Sequence, residues 1–355
     1  MMRPNKQELI EMLSLQGKDE IEALYKQAYE IKTEHSGKIV YFRGIIELSN
    51  ICSKNCYYCG IRRDNLHTVR YLMEKDEVLD AAKWAWEQNY GSVVIQAGER
   101  EDSSFINYVN ELLLDIKKLS DDELGITLSL GEQKEEVFRL WQESGAHRYL
   151  LRIETSNSSL YQTLHPLDHS FQRRVETLRT LKKLGWQTGT GVMIGLPGQT
   201  YEHLADDVLF FYDEDIDMLG MGPFIPHLQT PLKDLVNSYD PDSSLEKALK
   251  MIAVCRIALK DVNIASTTAL QALNPTGREM GLLAGANIIM PNITDTKYRA
   301  NYQLYEGKPC LDENADQCVH CLERRIESIG ETVGYNKWGD SPHYQSKHPD
   351  FISQN

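Results

Sequence analysis

The sequence predicts an α/β protein built as a full (β/α)8 barrel of the TIM type, and three observations carry that reading. First, short β-rich runs alternate with long amphipathic runs from about residue 39 onward, the order that yields parallel strands with helical crossovers. Second, the strand-like runs number eight: 40–50, 92–99, 125–132, 148–155, 187–196, 218–225, 265–270 and 287–291. Third, 355 residues suit a barrel with additions at each end. A doubly wound sheet is the runner-up, but the G-x-G-x-x-G fingerprint expected after its first strand is absent.

Each element has a local reason. Between Lys6 and Lys32, apolar residues recur at helical spacing in two blocks, Leu9, Ile10 and Leu13, then Ile21, Leu24, Tyr25 and Ala28. The link at 16–19 divides them, and residues 1–38 are read as an N-terminal helical cap. The barrel is placed at 39–299, with crossover helices at 75–88, 104–119 and 171–185. The tail, 300–355, is richer in Tyr, Asp, Asn and Pro and reads as an extension packed on the barrel.

Composition narrows the function. Hydrophobic residues make up 41% and charged residues 25%, the balance of a soluble chain with a core. A formal net charge of −14 argues against nucleic acid or an anionic membrane as partner. No run of about 18 apolar residues offers a membrane span, and the charged N-terminus lacks an apolar signal core. The expected location is cytoplasmic.

The seven cysteines carry the chemistry. They fall as Cys52, Cys56, Cys59, then Cys255, then Cys310, Cys318, Cys321. An odd number in two triplets is a poor disulfide framework. The first triplet, C-x3-C-x2-C, follows the first strand, where a barrel puts its active site. Three thiolates on one short loop suit three corners of a [4Fe–4S] cluster, and the iron without a protein ligand is open to substrate. Zinc is the alternative, but a structural zinc site takes four protein ligands, and no fourth Cys or His occurs before His67. The second triplet, C-x7-C-x2-C, reads as an auxiliary [2Fe–2S] or [4Fe–4S] cluster, or as a zinc clip using His320. Cys255, within an apolar helix, reads as an ordinary buried cysteine.

The first triplet, with Tyr58 before its last cysteine, resembles the signature of the radical S-adenosylmethionine (SAM) superfamily. So do Gln96-Ala97-Gly98-Glu99 at the end of the second strand, with Ala97 where that family usually has glycine, and the run from Gly191 through Gly195 to Gly198 at the fifth. Longer stretches, among them IIELSNICSKNCYYCGIRRDN, RYLLRIETSN and MGPFIPHLQTPL, are similar to the HydE family, radical SAM maturases of [FeFe]-hydrogenase.

The resemblance implies roles. The open iron would chelate the methionine amino and carboxylate groups of SAM, with Tyr58 against the adenine, Gly98 and Glu99 taking the ammonium, and Gly195 near the ring. Glu154 would meet the ribose, Arg174 the carboxylate, and Ser129 would also contact the cofactor. Arg152, Thr127, Thr267, Thr268 and Tyr302 would line the cavity below. An interior Arg152 needs an anion, either substrate or Glu154. Some family members have His where this chain has Ile153.

The implied activity is reductive cleavage of SAM to a 5′-deoxyadenosyl radical in H-cluster maturation, on a small sulfur-containing, iron-cysteinate substrate. Implied partners are a low-potential donor such as flavodoxin or ferredoxin, and other maturases. The rivals are a 3-methylornithine synthase-like or biotin synthase-like enzyme, or an iron–sulfur electron-transfer protein.

Overall fold

The computed structural model describes residues 3–312 and 315–350, and of 236–238 and 315–320 the backbone alone. Eight parallel strands form the barrel: β1 Ile39–Ser49, β2 Ser92–Ala97, β3 Gly125–Ser129, β4 Arg148–Leu150, β5 Gln187–Thr190, β6 Met218–Leu219, β7 Asn263–Ser266 and β8 Ile288–Ile289. Each pairs with its sequence neighbour, and β8 returns to β1 through Tyr41–Ile288 and Phe42–Ile289, which closes the ring. Met193–Ile194 and Gly222–Pro223, just past β5 and β6, form a further parallel pair on the same side.

The first strand has the predicted length, and the other seven are shorter than the sequence predicts. The fourth ends at Leu150, not 155; beyond it Glu154, at φ +66°, keeps a single parallel bridge to Val192. The seventh stops at Ser266, where Thr267 becomes the N-cap of a helix that starts at Thr268.

The crossover helices form because their apolar residues share one face. In Ser103–Leu119, Phe105, Val109, Leu112, Leu113 and Ile116 are all buried, and Asp102 caps the helix by accepting from the Phe105 N–H at 3.1 Å. Each such side chain contributes about 1.5–3 kcal/mol on burial. Helices α1 (Lys6–Leu13) and α2 (Lys18–Ser36) lie against the outer helices 201–213 and 241–259, on the flank of the barrel.

The N-terminal mouth is covered instead from the other end of the chain. Arg43 and Asn263 both donate to the Gly339 carbonyl, at 2.9 and 2.8 Å. Arg148 and Gln187, the first residues of β4 and β5, donate to Asp340 at 2.5 and 2.9 Å. This leaves the C-terminal strand ends as the accessible face of the barrel. Among the described residues no helix is long and apolar enough to cross a membrane.

Candidate active site

The C-terminal mouth encloses a cavity of about 310 Å³, lined by Cys52, Cys56 and Cys59 and by residues from several strand ends. The loop after β1 is laced to the end of β2: the Gly98 N–H donates to the Ser49 carbonyl at 2.8 Å and the Ser53 N–H to the Glu99 carbonyl at 2.8 Å. The Glu99 N–H reaches the Cys52 sulfur at 3.3 Å. A side chain at position 98 would meet the Ile51 oxygen at 2.5 Å and the Cys52 Cβ at 2.7 Å, so only glycine allows this approach.

The three thiols face a low-dielectric wall. Burial raises the Cys52 thiol, burial and the neighbouring Cys52 push Cys56 up to about 12, and burial with both neighbours lifts Cys59 well above the usual range. Only a cation among them would favour three thiolates. No three His, Cys, Asp or Glu side chains among the described residues converge as the ligands of a single metal ion would. The thiols of a cubane each take a different iron. The donor set and the enclosed space beside it therefore fit a [4Fe–4S] cluster with a second group.

A chain of charges rings the cavity. Lys54 bridges Glu99 at 3.2 Å and Glu132 at 3.3 Å, and the Glu132 N–H donates to Glu99 at 2.9 Å. Arg174 donates through Nε to Glu132 at 2.6 Å and through Nη1 to the Arg152 carbonyl at 2.8 Å. Arg152 pairs with Glu154 at 3.0 Å and donates to the Val192 carbonyl at 3.1 Å. Burial raises the Glu99 and Glu154 carboxyls; Arg174 and Lys54 oppose it at Glu99, Arg152 and Arg174 at Glu154. For Glu132, burial pushes the same way, but Arg174 and Lys54 outweigh it and the carboxyl falls.

Most residues singled out from the sequence meet here. Tyr58, Gly98, Glu99, Ser129, Arg152, Glu154, Arg174, Thr267, Thr268 and Tyr302 all line the cavity. Tyr58 stands edge-on to His165, with ring centroids 5.5 Å apart. The Tyr302 hydroxyl accepts from Gln96 at 3.2 Å. Thr267 Oγ1 is buried with no hydrogen-bond partner, in a residue that lines the cavity.

Two residues are elsewhere. Thr127 lies one pleat below Ser129, some 6–7 Å along the strand, where it accepts from Arg148 Nε at 2.8 Å and lines a separate space of about 20 Å³. Gly195, at φ +86°, belongs to a turn outside the cavity wall, its N–H bonded to Gln199 Oε1 at 2.7 Å. Of the second triplet, Cys310 is half-buried at φ +62° and Cys321 is exposed, while the Cys318 side chain lies outside the described residues. Cys255 is buried, 3.8 Å from the Met221 sulfur.

Sequence reasoning missed the buried pair Glu47 and Lys308 in the cavity wall. Lys308 also donates to the Tyr302 carbonyl at 2.8 Å, and Asn292 to Glu47 at 3.1 Å. Glu47 sits inside the β1 run and its partner is 261 positions away, so no local pattern marks either.

The profile described as the Radical SAM superfamily matches residues 46–211. The [FeFe] hydrogenase maturase subunit HydE of Thermotoga maritima is 46% identical over 93% of this chain and 92% of its own length. The chain belongs to the HydE family of radical SAM enzymes. More distantly, 3-methylornithine synthase of Methanosarcina acetivorans is 26% identical over 90% of this chain and 87% of its own. Among solved structures, methylornithine synthase superposes with a TM-score of 0.79 at 25% identity, covering 94% of this chain and 95% of that one. The maturase HydG of Carboxydothermus hydrogenoformans, at 22% identity, reaches 0.79 over 94% and 76%, a likeness of fold alone. HydE membership makes this chain an enzyme, and membership in the superfamily implies a [4Fe–4S] cluster and SAM.

Proposed function

We propose that this HydE-family enzyme reductively cleaves SAM within the barrel, in maturation of the [FeFe]-hydrogenase H-cluster, on a small sulfur-containing, iron-cysteinate substrate. The observation that supports it most is the meeting of three half-buried thiols with Gly98 and Glu99 over one cavity. Cys52, Cys56 and Cys59 would hold the [4Fe–4S] cluster. Bound there with SAM, it supplies one-electron reduction of the sulfonium, giving methionine and a 5′-deoxyadenosyl radical.

The chain's own groups then have separable tasks. Glu99, oriented by Lys54 and the Glu132 N–H, accepts from an ammonium. Arg174, with its Nε on Glu132, presents positive charge to a carboxylate. Glu154 offers oxygens to ribose hydroxyls, Tyr58 packs on the adenine, and Ser129 adds a hydroxyl at the same level. Below them Arg152, Thr267, Thr268 and Tyr302 form the polar substrate wall. The surrounding barrel wall would limit the water that reaches a reactive intermediate. Cys310, Cys318 and Cys321 would carry an auxiliary [2Fe–2S] or [4Fe–4S] cluster, and a flavodoxin or ferredoxin in the cytoplasm would deliver the electron. Other maturases would supply the substrate or take its product.

The test is anaerobic. The protein is reconstituted with iron and sulfide, reduced with dithionite and given SAM, and 5′-deoxyadenosine is quantified beside a Cys56→Ala control. Release that the control abolishes is the expected result. An intact reduced cluster that yields no 5′-deoxyadenosine would overturn the reading in favour of electron transfer.

A further inference from the structure

Arg70 closes the cluster loop on itself. Its Nη1 donates to the carbonyls of Asn50 at 2.6 Å and Ile61 at 2.8 Å. Its Nη2 donates to those of Arg62 at 2.6 Å, Arg63 at 3.2 Å and Asn65 at 3.1 Å. Asn50 lies two residues before Cys52 and Ile61 two after Cys59, so one guanidinium spans both ends of the thiol-bearing segment. The chain carrying Arg70 is itself anchored there, by the Tyr71 N–H on Asn50 Oδ1 at 2.8 Å and by Asn50 Nδ2 on the Val69 carbonyl at 2.8 Å.

All five acceptors are neutral. Elsewhere on the loop Lys54 meets Glu99 and Glu132, and Arg63 meets Asp64 at 2.9 Å. Arg70 has no carboxylate within ion-pair distance among the described residues. A half-buried cation with no carboxylate partner among the described residues thus ties together the two ends of the segment that carries the three thiols. Reduction of a three-thiolate cluster adds one negative charge, which such a cation favours.

We infer that Arg70 is a positioning residue with two effects: it preorders the 50–65 segment before any iron binds, and its uncompensated charge favours the reduced cluster. The second effect rests on the cluster-loop reading above; the first does not. A planar fork satisfies several carbonyls at once, whereas a lysine ammonium is a single point with three donors.

Arg70→Lys and Arg70→Met separate the effects. Hydrogen exchange of residues 50–65 is measured in metal-free wild type and both variants. The cluster midpoint potential is read by EPR-monitored titration of the reconstituted proteins, with iron content as control. Roughly tenfold faster loop exchange is expected in both variants, with a lower midpoint in Arg70→Met alone. Wild-type exchange in Arg70→Met would overturn the preordering. A wild-type midpoint in Arg70→Met, or a lowered one in Arg70→Lys, would overturn the charge effect. If Arg70→Met takes up no iron, the Arg70→Lys midpoint and the metal-free exchange still decide. Wild type that binds no iron would sink the site reading, and with it the charge effect, while the exchange comparison stands.

Discussion

Arg148 and Asp340, 192 residues apart, form an ion pair of 2.5 Å in which neither side chain is exposed. Asp340 also meets His147 at 3.1 Å and Gln187 at 2.9 Å, so one carboxylate gathers the first residues of β4 and β5 and the residue just before β4. Removing one partner of a buried pair strands the other charge. Asp340→Asn should cost about 3–5 kcal/mol, measured by denaturant unfolding. A loss below about 1 kcal/mol would show that the pair is not holding the barrel floor.

The same cluster predicts acid lability. Burial raises the Asp340 carboxyl, but Arg148 and His147 outweigh it and hold it well below the usual range. A depressed carboxyl stabilises the fold above its unfolded value, near 4, and loses that stabilisation as pH falls further. Burial first, then Arg148, lowers His147 to about 4. The unfolded state therefore takes up the histidine proton first, and stability drains between about pH 6.5 and 4. Unfolding free energy should fall across that window in the wild type and fall less steeply in His147→Gln, the remaining slope coming from His165, which burial lowers to about 3.

His343 predicts the opposite slope. Burial lowers it, but hydrogen bonds to Asp215 at 3.0 Å and Asp261 at 3.1 Å outweigh that and lift it to about 9. A raised histidine stabilises fully below its unfolded value, near 6.5, and loses that contribution as pH rises toward 9. The loss should reach about 3 kcal/mol. His343→Gln should remove the alkaline slope in a thermal-melt series; an unchanged slope would place it in other groups.

Gly98→Ala tests the lacing of loop to strand. The added methyl collides with the Ile51 oxygen and the Cys52 Cβ, both under 3 Å, so Cys52 must move. Iron uptake on reconstitution should drop several-fold while far-UV circular dichroism stays unchanged. Full iron uptake would mean that the loop has slack.

Thr267→Val addresses the unpartnered hydroxyl. Relieving a buried unsatisfied group costs nothing and stabilises by about 1 kcal/mol. Turnover of the native substrate should fall at least about tenfold, while uncoupled SAM cleavage persists. Equal loss of both reactions would assign Thr267 to the SAM site instead.

Much of the barrel is legible in the sequence because parallel strands covered on both faces read as continuous apolar runs. The ladders of β4, β6 and β8 span two or three residues, and their runs continue past the last ladder bond with no change in composition. The site was legible where chemistry is local: three cysteines, Gly98 and Glu99 on consecutive strand ends. It was not legible where partners are distant, as for Glu47 with Lys308 or Arg174 with Glu132. Alternation also put Thr127 beside Ser129, since a period of two fixes the face of a strand but not the height at which a cavity begins. The likeness to HydE supplied roles that spacing alone could not.

The cover drawn from residues 336–341 has a bearing on how the chain is made. Gln187 waits for its Asp340 contact across 153 residues, which a ribosome adds in roughly eight to thirty seconds. Helices form in microseconds, so the early crossovers have ample time to assemble before their common floor emerges. During that interval Arg148 and Gln187 lack their Asp340 contacts, and the floor of the barrel closes only once that later segment has been made.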